Sequence, residues 1–139
     1  STGKLERVSQ QRLACKRPGQ EFFQLSGEDA TVLSLVAHGG HGAISVTSNV
    51  APRLCAEVHA HLAKGGFKSA LVLQDRLMPL HDALFCETSP GPVKYAASRL
   101  GLCSAETRLP ICPIAEESKK RVDAALAAVG LSNLAEAAE

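Results

Sequence analysis

Gly39-Gly40-His41-Gly42-Ala43-Ile44-Ser45-Val46-Thr47-Ser48-Asn49-Val50-Ala51 is the stretch that decides the fold. Its centre, Ala43–Thr47, is β-branched and short, with glycine before it and Ser48-Asn49 after it, which predicts a strand. The two glycines upstream end a helix, because glycine tolerates the left-handed backbone that closes a last turn. Downstream, Asn49 and Pro52 stand where a helix start wants them, and apolar residues continue to Lys64 before Gly65-Gly66. The stretch therefore reads helix, strand, helix.

The same alternation extends toward the N-terminus. Gly3 to Cys15 can form a helix, with Leu5 and Val8 at helical spacing, and Lys16-Arg17-Pro18-Gly19 ends it in a turn. Phe22-Phe23-Gln24-Leu25 is a strand candidate by its aromatics and length. Ser26-Gly27-Glu28-Asp29 opens a second helix, its acidic residues matching the positive end of the helix dipole, and Ala30, Leu33, Val36 and Ala37 give it one apolar face. Strands separated by helices of this length imply βαβ units and a parallel sheet. Two such strands alone would leave parallel edges unpaired, so the sequence calls for partner strands that it does not encode.

From Phe67 onward the strand signal vanishes. Leu73, Leu77, Leu80 and Leu84 repeat at helical spacing to about Glu87, with Pro79 inside as a kink. Ser89-Pro90-Gly91-Pro92 breaks that helix, and a short one from Val93 to Leu100 ends at Gly101. Arg108-Leu109-Pro110 and Pro113 mark a loop. The last helix has Glu116-Glu117 in its first turn, Val122, Ala125, Leu126 and Val129 on one face, and Gly130 as its cap. The Ala/Glu-rich remainder, 132–139, is expected to be a flexible tail.

Composition narrows the function classes. A chain of 139 residues, 45% hydrophobic and 21% charged, suits one globular unit but falls short of the roughly 250 residues of a closed (β/α)₈ barrel. A net charge of +1 supplies no field for nucleic acid or anionic membrane, and one Tyr, four Phe and no Trp supply no stacking platform. No apolar run reaches the roughly 20 residues of a membrane span. Ser1-Thr2-Gly3-Lys4 is followed by no apolar signal-peptide region, and without an initiator Met the start is expected to lie upstream. Cys15, Cys55, Cys86, Cys103 and Cys112 are an odd, scattered set, which points to free thiols in a reducing cytoplasm rather than a disulfide framework or zinc site.

In parallel α/β folds, ligands gather where strands end and βα loops converge. Here those places are Ser26–Asp29 and Val46–Asn49. Gly27 would let a ligand approach the backbone closely, although the same residues also suit a plain strand-to-helix turn. The histidines offer no metal set: His59 and His61 point about 200° apart on one helix, and His38 and His41 fall at the beginning of a strand. Lys94, beside the only Tyr, reads as a solvated or ion-paired lysine on a short helix rather than a Schiff-base nucleophile. Glu116-Glu117 with Lys119-Lys120-Arg121 reads as a solvent face.

Three stretches carry a family resemblance: Leu25-Ser26-Gly27-Glu28-Asp29-Ala30-Thr31, Gly39 to Ala51 as quoted above, and Arg76-Leu77-Met78-Pro79-Leu80-His81-Asp82-Ala83-Leu84-Phe85. Pro92-Val93-Lys94-Tyr95 and Arg108-Leu109-Pro110 follow in order. Together, from Ser1 to about Leu131, they resemble the dihydrodipicolinate synthase (4-hydroxy-tetrahydrodipicolinate synthase) family, in the N-acetylneuraminate lyase group of class I aldolases. The resemblance implies an α/β fold: residues 1–66 as the last strands, seven and eight, and helices of a (β/α)₈ TIM barrel, and 67–131 as a C-terminal helical domain. It implies a cytoplasmic homo-oligomer, a tetramer in the parent, that needs no cofactor or metal. The implied reaction condenses pyruvate with aspartate semialdehyde in lysine and diaminopimelate biosynthesis, through a lysine Schiff base and an enamine, with tyrosine and threonine hydroxyls shuttling protons.

Carried over residue by residue, the resemblance leaves no catalytic residue in this chain. Ser1-Thr2-Gly3 matches the stretch that follows the family's Schiff-base lysine, which is therefore expected upstream of Ser1. What the resemblance assigns here is pocket wall. Gly27 matches the strand-seven glycine beside the substrates, and Ile44 the strand-eight residue whose carbonyl faces the lysine. Val46 is the next inward position, and Ser89 stands near the pocket mouth where relatives often carry Asn. Lys16–Gly19 is slightly longer than the family's usual connection. Two other readings stand beside the synthase: a non-catalytic truncated half-barrel that only oligomerises, and a related pyruvate-dependent sugar-acid aldolase.

Overall fold

The structure is a computed structural model and describes residues 4–131. The expected tail, 132–139, lies outside the described residues. Among the described residues, six α-helices and two short strands follow in the order α1 (Glu6–Ala14), β1 (Leu25–Ser26), α2 (Val32–Ala37), β2 (Gly42–Ala43), α3 (Pro52–Ala63), α4 (Phe67–Ala83), α5 (Gly91–Arg99) and α6 (Glu116–Ala128). Tight 3₁₀ turns at Asp29–Thr31 and Thr47–Asn49 link each strand to the helix after it. The alternation of helix and strand is the one the sequence predicts.

β1 and β2 pair in parallel, with Leu25 opposite Gly42 and Ser26 opposite Ala43. His41 N–H donates to the Gln24 carbonyl at 2.8 Å and Ile44 N–H to the Ser26 carbonyl at 2.7 Å, so the ladder extends one bond beyond each strand end. Both strands are shorter than expected and shifted. Phe22 and Phe23 lie before β1 rather than in it, and Ile44 to Thr47 lie after β2. The physical reason is visible at the exit of β2. The N–H groups of Val46 and Thr47 turn onto the Asp29 carboxylate instead of a neighbouring strand.

Helix α2 also starts later than its acidic cluster suggests. The Ser26 hydroxyl bonds both the N–H and the carbonyl of Glu28, at 3.1 and 2.8 Å, which makes a turn there before Asp29–Thr31 winds tightly. The turn from α2 to β2 needs its two glycines for different reasons. Gly39 has φ +87°, and a Cβ on Gly40 would sit 1.9 Å from Leu35 Cδ2. At α3, Pro52 occupies the first turn as expected, whereas Ala51 rather than Asn49 is the cap position.

One apolar core runs through the helices. Val32 of α2, Val50 and Ala51, and Leu54, Val58 and Leu62 of α3 meet Leu77, Leu80 and Leu84 along α4. Val93 and Ala96 of α5 and Val122, Ala125 and Leu126 of α6 close it from the other side. The leucine spacing of α4 is thus core, and the helix continues through Pro79. Tyr95 Oη donates to Asp123 at 2.9 Å and Arg99 Nε to the same carboxylate at 3.1 Å, clasping α5 to α6. The strand pair itself adds little to this core. Leu13, Phe23, Leu25 and Ile44 are 72%, 62%, 50% and 69% exposed, a run of apolar side chains with no cover among the described residues.

Candidate functional site

Because β1 and β2 are parallel, their C-terminal ends open on one side of the molecule. The chain leaving β1 places Asp29 there, 6% exposed. One of its oxygens, Oδ2, accepts the N–H of Val46 at 2.9 Å and that of Thr47 at 3.1 Å. Two consecutive backbone donors on one carboxylate oxygen make a strong, directional clamp. From α4, Gln74 Nε2 donates to the carbonyls of Asp29 and Ala30 at 3.0 and 3.3 Å. Also from α4, His81 Nδ1 lies 2.7 Å from Thr47 Oγ1, and both side chains are buried. His81 Nε2 is buried with no hydrogen-bond partner among the described residues.

These contacts perturb the titrating groups nearby. Burial lowers the His81 pKa below its ordinary value near 6.5, while the charges of Asp29 and Asp82 pull the other way. Burial, and then the Asp29 charge, push the Cys55 thiol up to about 11, and a hydrogen bond with Ser45 opposes them. The Cys55 thiol is therefore not set up as a nucleophile at neutral pH.

Two clefts meet at the end of β1. One, of about 240 Å³, lies between α1 and β1, and the other, of about 590 Å³, lies against α4 and α6. Gly27 is exposed and lines both, as does Glu28. His81, Asp82, Phe85 and Arg121 line the larger one from the helices. Val46 is half-buried and joined to the β1 end through Asp29, so Gly27 and Val46 share one clamped corner. Ile44 is 69% exposed, with its N–H tied to Ser26. Ser89 is exposed on the connection between α4 and α5, before a cis peptide bond to Pro90, and lines neither of these clefts.

The other candidates fall elsewhere. Lys94 is half-buried on α5, facing a separate open cleft with Arg108 and Leu109. His38 Nδ1 lies 2.9 Å from the Ser34 carbonyl, and His41 Nδ1 accepts the Gln24 N–H at 3.1 Å. Lys119 pairs with Glu116 at 2.6 Å on the surface of α6. No group of three or more His, Cys, Asp or Glu side chains suited to a metal ion occurs among the described residues.

Sequence reasoning missed His81 and Gln74. Both stand on α4, whose apolar stripe drew attention to its leucines. A signal was available: His81 follows Leu77 by four residues and Leu80 by one, which puts a polar ring beside the buried stripe of a helix and demands a partner. That the partner would be Thr47 is a tertiary fact.

Comparison with known proteins matches this geometry to one family. The model of the dihydrodipicolinate synthetase family matches residues 1–129. Among curated relatives, the 4-hydroxy-tetrahydrodipicolinate synthase of Cereibacter sphaeroides is 57% identical over 131 residues, covering 94% of this chain and 44% of that protein. The synthase of Methylobacterium radiotolerans is 56% identical, covering 94% and 43%. Among solved structures, dihydrodipicolinate synthase from Thermotoga maritima superposes with a TM-score of 0.88 at 33% identity, over 94% of this chain and 44% of that one. The Aquifex aeolicus enzyme gives 0.87 at 36%, over 95% and 44%. The Acinetobacter baumannii enzyme, solved in complex with pyruvate, gives 0.85 at 34%, over 94% and 44%. The chain spans less than half the length of the relatives it matches. A family match along nearly the whole chain, with a superposable backbone, leaves one conclusion: this chain belongs to the dihydrodipicolinate synthetase family and corresponds to the C-terminal part of its members.

Proposed function

We propose that the chain forms the closing part of a 4-hydroxy-tetrahydrodipicolinate synthase, a lyase that condenses pyruvate with aspartate semialdehyde in lysine and diaminopimelate biosynthesis. On this reading residues 1–66 are the end of a (β/α)₈ barrel and 67–131 its helical domain. The Schiff-base lysine comes from the segment that precedes Ser1 in the parent. Its amine condenses with the pyruvate carbonyl, and the methyl carbon then becomes an enamine nucleophile toward the aldehyde. Gly27, Ile44 and Val46 supply pocket wall, with the Ile44 carbonyl turned toward the lysine, and Ser89 stands near the mouth. The working enzyme is a cytoplasmic homo-oligomer, a tetramer in the parent. No helix among the described residues is long and apolar enough to cross a membrane.

The observation that carries the proposal is the family match over residues 1–129, together with a parallel strand pair whose C-terminal ends are clamped into one corner. The test is a hybrid in which this chain follows the N-terminal part of the C. sphaeroides synthase that it does not span. Incubated with pyruvate and borohydride, the folded hybrid should gain one reduced pyruvate adduct per chain on an upstream lysine, and it should turn over aspartate semialdehyde. A folded hybrid that gains no adduct would remove the reading. The exposed Leu25 and Ile44 favour one alternative, a non-catalytic half-barrel that only associates. That reading predicts self-association of the chain and no contribution to turnover in the hybrid.

A further inference from the structure

The chain leaving β2 is held at both ends of a very short span. Ile44 N–H is fixed to the Ser26 carbonyl at 2.7 Å, and the N–H groups of Val46 and Thr47 are fixed to Asp29 Oδ2. Only Ser45 lies between the anchors, and its hydroxyl accepts the Ser48 N–H at 2.8 Å. While both anchors hold, the backbone torsions of Ile44 to Val46 therefore have little freedom.

What holds the far anchor is α4. Thr47 is fully buried, its hydroxyl bonded to His81, and Gln74 grips the backbone at Asp29 and Ala30. The Thr47 side chain offers no surface to a ligand, and Asp29 spends its Oδ2 on two N–H groups. A buried polar set of this kind is costly unless every contact is made, which makes its geometry specific. Its cost also argues against a purely packing role, because apolar residues of similar volume would fill the same space.

We propose that Asp29, Thr47 and His81 are positioning residues through which α4 sets the backbone at Ile44 and Val46, and so the pyruvate-facing wall of the pocket. The inference rests on the aldolase reading above. His81 acts through Thr47, and Asp29 through the two N–H groups; neither has to touch substrate. Displacing a pocket wall by about 1 Å can slow a reaction about a hundredfold, even when the chemical groups are intact.

The test separates rate from folding. In the hybrid with the C. sphaeroides segment, borohydride trapping gives two numbers: the fraction of chains that take a pyruvate adduct at saturation, and the rate of adduct formation per reactive chain. Thr47→Val keeps the shape and deletes the hydroxyl, and Thr47→Ser restores it. The expected result is a per-site rate lowered about ten- to hundredfold in Thr47→Val and returned close to the parent rate in Thr47→Ser. His81→Phe, which removes the ring nitrogens at similar volume, should match Thr47→Val and serves where that variant does not fold. A per-site rate equal to the parent's in the folded variant, with only the reactive fraction reduced, would show a structural role and overturn the proposal. A folded parent hybrid that takes no adduct would instead overturn the aldolase reading.

Discussion

Two residues at the clamp make predictions that need no substrate. His81 is 5% exposed, and burial holds its pKa below the ordinary 6.5 against the opposite pull of Asp29 and Asp82. The unfolded chain takes up this proton as pH falls past about 6.5, and the folded chain does so only at lower pH. The stability that neutral His81 contributes is therefore complete above pH 6.5 and is lost as pH falls toward the folded-state pKa. Urea unfolding at pH 7.5 and pH 5 should show a larger loss in the parent than in His81→Gln; equal losses would contradict the assignment. Cys55 behaves in the opposite sense. With its thiol pushed up to about 11, only about one molecule in a thousand is thiolate at pH 8. Iodoacetamide should label the exposed Cys15, Cys103 and Cys112 well before Cys55 in the native chain. Mass-mapped labelling that finds Cys55 as fast as Cys103 would refute this. Neither behaviour is legible in the sequence, because each shift comes first from burial by segments distant along the chain.

At the scale of elements, the helices and the presence of two strands were legible, and the bounds of the strands were not. The leucines of α4 repeat every three or four residues, and that period is a property of the segment alone. Leu77 and Leu80, with Leu84 at the C-terminal cap, are at most 1% exposed, as the pattern requires. Leu80→Ala should cost about 2–5 kcal/mol of unfolding free energy, the range for emptying a packed leucine site. Chemical denaturation measures it, and a loss below about 1 kcal/mol would mean that α4 is not the central helix of this core. The glycine stops were equally readable, since a positive φ such as that of Gly39 is a local demand. A strand, in contrast, is defined by its partner. Phe22-Phe23-Gln24-Leu25 has strand composition, yet only Leu25 and Ser26 form the ladder, because pairing is available only where β2 runs alongside. Likewise Ile44 to Thr47 look like strand, and a carboxylate seventeen and eighteen residues away takes the N–H groups of Val46 and Thr47. The position of the candidate site was readable from the two strand ends; its construction, with α4 reaching over through Gln74 and His81, was not.

The whole molecule divides by how much apolar surface each part buries. The helices share one core, with Leu80, Leu84, Ala96 and Val122 at 0% exposure, so opening any of α4, α5 or α6 exposes the cluster to water. The β1–β2 pair is held by a short ladder, with Phe23, Leu25 and Ile44 largely exposed beside it. Opening that ladder loses little apolar burial, so it belongs to the low-stability end of the structure. Amide hydrogen exchange on this chain should therefore find Leu80 and Val122 exchanging only with global unfolding, and Ile44 and His41 exchanging much faster through local opening. On the proposed reading, joining the chain to the C. sphaeroides segment should change only the second group. New strand neighbours would cover Leu25 and Ile44, add ladder bonds at both edges, and slow the Ile44 amide toward the rate of Leu80, while the helical core stays as it was. The opposite outcome is equally readable. An Ile44 amide as protected as Leu80 in this chain alone would mean that the pair is already sealed, and exposed Leu25 and Ile44 would then have no barrel to complete.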